Sequence, residues 1–93
     1  MTEDLPSILL LLESTLLEYE IPDYIEVSEQ NGIIYVLISK EEYKNVPLHE
    51  RIQKVSALLE FDHDDVLDKW PVIIECLDAE ELKSLFEMYG KKQ

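Results

Sequence analysis

His49, His63 and Cys76 are the residues of this 93-residue chain from which a zinc site could be assembled, since zinc accepts mixtures of imidazole and thiolate ligands. No two of the three stand at ligand spacing, and each has a simpler reading. His49 falls in the exposed first turn of an expected helix and His63 in an acidic turn, while Cys76 alternates with Val72 and Ile74 on an expected strand as a small core hydrophobe. Glu60, Asp62, Asp64, Asp65 and Asp68 supply the oxygen ligands that a hard cation prefers. A calcium loop also needs a glycine at its sharp turn and a glutamate at its twelfth position, and this run has neither. On a helix, Asp64, Asp65 and Asp68 share a face and suit a solvated N-terminal turn. The serines lie in no nucleophile elbow, and the two glycines, Gly32 and Gly90, form no phosphate-cradling loop. The residues therefore point to no catalytic centre, no metal and no cofactor.

The remaining candidate is a concentration of positive charge. Lys40, Lys44, Arg51 and Lys54 are half of the 8 basic residues in a chain of net charge -13, and only Glu41, Glu42 and Glu50 offset them locally. Two readings are open. The charges form a docking corner on an otherwise repelling surface, or they form a solvated helix face in which Glu50 and Lys54 make an i, i+4 pair of about 0.2–0.5 kcal/mol. In either case Arg51 and Lys54 are expected to point outward. Duplex DNA suits the corner poorly, because the rest of the chain carries 18 acidic against 4 basic residues and repels phosphate.

Length and composition agree with a small globular unit, residues 1–93, with apolar residues at 46% and charged residues at 31%. One cysteine excludes an internal disulfide and a CxxC motif, which suits a reducing, cytoplasmic setting. The run ILLLL at 8–12 follows Glu3 and Asp4 and stops at Glu13, so it reads as part of a core helix. It is far shorter than the roughly 20 apolar residues that cross a bilayer.

The elements that must position these groups follow from periodicity. Residues 4–18 predict a helix, with Thr2 or Asp4 as cap, Pro6 in its first turn and Leu5, Leu9, Leu12 and Leu16 on one face. Leu10 and Leu17 fall off that stripe and need either a second layer or a partner. The stretch YIEVSEQNGIIYVLIS predicts a hairpin turning at Asn31-Gly32, a pair suited to the two positive φ angles of a type I′ turn. Its return strand is apolar on both sides, with Ile34, Val36 and Ile38 on one and Ile33, Tyr35 and Leu37 on the other. Pro47 opens a helix whose Leu48, Ile52, Val55 and Leu59 face a core, and a short helix capped by Asp62 follows, with Phe61, Val66 and Leu67 as apolar contacts. PVIIECLD predicts a strand, with Pro71 tolerated at its first residue. Asp78 and Glu81 then cap a last helix with Leu82, Leu85, Phe86 and Tyr89 inward and Gly90 as its stop. The predicted class is α+β in the order α-β-β-α-α-β-α, with a three-stranded mixed sheet backed by helices.

That order, together with IEV at 25–27, YVLIS, the loop KEEYKNVPLHER and IIECLDAEELKSLF, resembles the BolA-like family over roughly residues 5–87. The family's F-x-G-x-S/P loop corresponds to Tyr43, Lys44, Asn45, Val46 and Pro47, and its E/Q-R-H-R signature to Glu50, Arg51, Ile52 and Gln53. The resemblance implies the BolA-like, type II KH-like fold and partner or DNA contact at the 44–54 corner. It would also imply an iron-sulfur cluster shared with a monothiol glutaredoxin. However, Ile52 stands where the signature histidine belongs, and a second family histidine falls near Trp70. RNA binding of the KH kind needs a GxxG loop, which the chain lacks.

The expectation is thus a small, acidic, non-enzymatic interaction module, monomer or weak homodimer, with no membrane span. Its partner is a protein steered by Lys44, Arg51 and Lys54 and anchored by Tyr35 and Leu37. The alternatives are a DNA-binding regulator using the same corner and an acidic mimic of nucleic acid that occupies a basic partner.

Overall fold

A computed structural model describes residues 4–89. The elements are α1 (Leu5–Tyr19), β1 (Tyr24–Gln30), β2 (Ile33–Ser39), a 3-10 turn (Glu41–Asn45), α2 (Leu48–Lys69), β3 (Val72–Leu77) and α3 (Ala79–Met88). The predicted α-β-β-α-α-β-α order holds, with its two central helices run together as α2 and separated by a bend at His63 (φ -138°, ψ 46°). Thr15 Oγ1 and His63 Nε2 hydrogen-bond at 2.6 Å, which ties the bend to α1. The break rotates the helical stripe, so Phe61, expected as an inward contact, is instead 87% exposed.

The sheet runs β1-β2-β3, antiparallel between the first pair and parallel between the second. Asn31 (φ 56°) and Gly32 (φ 82°) make the expected two-residue turn, and Gln30 faces Ile33 across it. On one side of the sheet Ile34, Val36, Ile38 and Cys76 pack with Ile8, Leu12 and Leu16 of α1 and Val55, Leu59 and Val66 of α2. The expected α1 stripe holds at Leu12 and Leu16, both fully buried, with Leu5 half-buried, and it is wider than expected. Ile8 and Thr15 are buried, Leu9 is half-buried, and Leu10 and Leu17 are exposed with no second layer over them. Leu48, expected in the core, is exposed because it stands at the first position of α2, beyond the sheet. Asp4 occupies the cap position of α1 without a side-chain cap bond, and Thr2 and Gly90 lie outside the described residues.

The other side of the sheet carries Tyr24, Ile33, Tyr35, Leu37, Ile73 and Leu77, as the register places them. α3 lies here, with Phe86 edge-on to Tyr24 at 5.6 Å. The Asp78–Glu81 capping box starts the helix as expected, and Leu82, Leu85 and Phe86 are half-buried toward the sheet, whereas Tyr89, expected inward, is exposed. α3 is short and meets the sheet's second side beside Tyr24 of β1 and along Glu75 and Leu77 of β3.

Two positions with positive φ make opposite predictions. Ile21 (φ 49°) is β-branched and 73% exposed, so Ile21→Gly should raise the urea midpoint, relieving a left-handed conformation that costs a side chain about 1–2 kcal/mol. Gly32→Ala should lower the midpoint by a comparable amount although nothing lies within 4 Å of the added methyl group. Equal midpoints for the two variants would contradict the assigned backbone.

Candidate functional site

The basic corner is built around a buried arginine. Arg51 is only 7% exposed, which corrects the expectation that it points outward. Its Nε donates to the Val46 carbonyl at 2.8 Å, and its Nη1 donates to the Cys76 carbonyl and to Glu81 Oε1, both at 2.9 Å. The guanidinium also lies over the Tyr43 ring, 5.5 Å from the centroid. The flat, five-donor group thus joins the loop before α2, the end of β3 and the first turn of α3. Glu81 accepts from Asp78 N and Arg51 together, so the α3 cap and the arginine share one carboxylate oxygen.

Tyr43 extends the assembly toward α1. Its hydroxyl donates to Glu20 Oε2 at 3.0 Å, and Lys54 Nζ lies 3.5 Å from Glu20 Oε1. Glu20, at the C-terminal end of α1, has a side chain 1% exposed, so these two partners satisfy a carboxylate cut off from water. Lys40 Nζ stands 5.8 Å from the same Tyr43 ring. Burial, reinforced by Cys76 and Glu20, holds the Tyr43 phenol far above its ordinary range. Burial likewise pushes the Cys76 thiol up to about 11, against the opposing pull of the Tyr43 hydrogen bond. A buried thiol kept protonated is a packing group and a poor nucleophile, which agrees with the reading of Cys76 as a core hydrophobe.

The five residues expected to bind a partner are not gathered at one place. Lys44 is exposed on the 3-10 turn, 3.9 Å from Glu41. Lys54 is exposed on α2 and tied to Glu20, whereas Arg51 is consumed internally. Tyr35 and Leu37, both half-buried, lie together on the α3 side of the sheet, away from the α1 and α2 layer. Beside them on β3, Ile73 is 47% exposed. His49 is exposed and His63 is bonded to Thr15, and among the described residues no three of His, Cys, Asp and Glu come together to hold a metal. No described helix is long and apolar enough to cross a membrane.

Sequence reasoning missed Glu20, Tyr43 and Glu81 as partners of the basic residues. The contacts join positions 23 and 30 residues apart, and no local spacing marks them. A partial signal exists in the surplus of cations between 40 and 54, which leaves charge to meet a buried carboxylate, Glu20, and a half-exposed one, Glu81, from elsewhere in the chain.

Arg51→Met should cost on the order of 3 kcal/mol by denaturant unfolding, because it removes three charge-assisted hydrogen bonds and leaves the Val46 and Cys76 carbonyls without their partner, while Lys44→Met should stay within about 0.5 kcal/mol. Similar costs for the two would contradict the internal role of Arg51. The thiol supplies a second check. Its folded-state pKa lies above the unfolded value, so the unfolded chain loses the proton first and stability falls as pH rises from about 9 to about 11. The urea midpoint should decline across that window, and Cys76→Ala should flatten the decline. An unchanged slope in that variant would refute the assignment. No family model matches the chain, and no curated protein matches its sequence.

Proposed function

We infer that the chain is a small non-enzymatic α+β module of BolA-like type that acts by protein–protein contact through the α3 side of its sheet. The observation that carries this reading is the incomplete cover over that side. Tyr35 and Leu37 form an apolar strip on β2, Ile73 continues it on β3, and α3 engages the sheet at the end where Phe86 meets Tyr24. An apolar strip of this kind, rimmed by Glu26, Ser28 and Gln30 of β1, has the composition of an interface centre with a polar border. Lys44 and Lys54 each already face a glutamate, so the reading assigns anchoring to Tyr35 and Leu37 and leaves the lysines at the margin.

A second reading has its own observation. Glu60, Asp62, Asp64, Asp65 and Asp68 are all exposed around the α2 bend, and none is in a salt bridge among the described residues. Such a field suits a basic partner, as in a mimic of nucleic acid.

Affinity capture from host lysate at low and moderate salt, read by mass spectrometry with a nucleic-acid stain, separates the two. A specific protein held by the wild type and reduced at least tenfold by Tyr35→Ser with Leu37→Ser, at unchanged circular dichroism, supports the sheet-face reading. A glutaredoxin among the recovered proteins would bring the chain closer to its BolA-like resemblance. Loss instead on neutralising Asp62, Asp64 and Asp65 to asparagine moves the function to the acidic bend. Recovery that neither variant changes overturns both.

A further inference from the structure

β3 is an edge strand, and the direction of its backbone groups can be read from its ladder. Ile34 N donates to the Pro71 carbonyl and Lys40 N donates to the Leu77 carbonyl, so the odd-numbered residues from 71 to 77 turn their peptide groups toward β2. The groups of Val72, Ile74 and Cys76 face the open edge. Arg51 occupies the Cys76 carbonyl and so closes one end, and Pro71 bounds the other. No hydrogen bond from a described residue reaches the outward groups of Val72 or Ile74. What remains is a short stretch of unpaired strand, the N–H and C=O groups of Val72 and Ile74 and the N–H of Cys76.

Beside this edge, between β3 and α3, runs a groove of about 360 Å³. Leu77, Leu85 and Met88 give it an apolar lining, while Glu75 and Glu80 stand on its rim. Glu75 is exposed, points to the groove side with Ile73 and Leu77, and is in no salt bridge among the described residues. An unpaired edge next to an apolar groove bounded by a helix is the arrangement that accepts an added strand, with main-chain bonds holding it and alternate side chains entering the groove. The occupant is defined by what lies opposite. Ile73 calls for an apolar neighbour and Glu75 for a cation, and the groove lining of Leu77, Leu85 and Met88 beyond the closed end receives a second apolar side chain. A second copy of this chain is disfavoured by the net charge of -13 on each partner.

We propose that the β3 edge receives an extended segment of a partner protein with the pattern apolar-x-Lys/Arg-x-apolar, paired with Val72 and Ile74 and seated against α3. The inference rests on the protein-contact reading above and specifies the partner's chemistry. The probe is the acetylated peptide Thr-Val-Thr-Lys-Thr-Leu-Thr, titrated into the full chain with backbone amide exchange followed residue by residue. Binding should slow exchange at Val72 and Ile74 and leave Ile73 and Glu75, already bonded to β2, unchanged. Replacing the peptide lysine with glutamate should weaken binding about fivefold, and Glu75→Lys should invert that preference. Absence of binding at millimolar peptide, or protection without this alternation, overturns the proposal. So does a loss with glutamate that Glu75→Lys fails to invert. If the strand peptide fails while lysate capture still depends on Tyr35 and Leu37, the edge inference falls and the interface reading stands. Failure of both removes the interface altogether.

Discussion

The fold depends on how one positive charge is accommodated inside an acidic protein. A guanidinium cannot shed its charge on burial, so every surface it loses to water must be replaced by an acceptor or an aromatic face. Arg51 finds two carbonyls, one carboxylate and the Tyr43 ring, supplied by four separate segments. That requirement fixes where the 3-10 turn, the start of α2, the end of β3 and the first turn of α3 meet. Tyr43 passes the constraint on to Glu20 and so to α1. Of the four cations between 40 and 54, Arg51 alone is buried, and Lys54 meets the same network from its solvent side.

Much of the architecture was legible because its causes are local. Asn31-Gly32 sets a turn through its own backbone preferences, Asp78 and Glu81 satisfy each other within one helical turn, and the β-branched return strand announces its centrality by being apolar on both sides. The α1 stripe was legible at Leu12 and Leu16 but not in its width, since five consecutive apolar residues at 8–12 fit more than one stripe and only the sheet adds Ile8 and Thr15. Periodicity that counts neighbours on α2 alone places Arg51 on the outer face. Its burial is decided by a carbonyl 25 residues away, which no periodicity encodes. Phe61 failed for a related reason, because the bend at His63 is held by a contact to α1, 48 residues distant in sequence.

The sheet's two sides are unequal by construction. The side facing α1 and α2 carries the fully buried core, from Leu12 and Leu16 to Ile38 and Leu59. The opposite side repeats the apolar character of β2 with far less to cover it. One arginine links the two sides, reaching from α2 past the end of the β3 edge to a glutamate on α3. It closes the edge at Cys76 while leaving Val72 and Ile74 open, so the contact that completes the fold also sets how long an added strand can be.

α3 contributes no fully buried residue: Leu82, Leu85 and Phe86 are half-buried, Glu81 is shared with Arg51, and Phe86 meets the Tyr24 ring. Elements with little buried surface open at a free energy below that of global unfolding. The helix is therefore expected to detach as its own cooperative unit while the core beneath α1 and α2 stays intact. Its amides would exchange with solvent far sooner than those of β2. How much of the sheet's second side is available at a given moment is then an equilibrium property of ten residues, adjustable by charge or temperature without any change in the core.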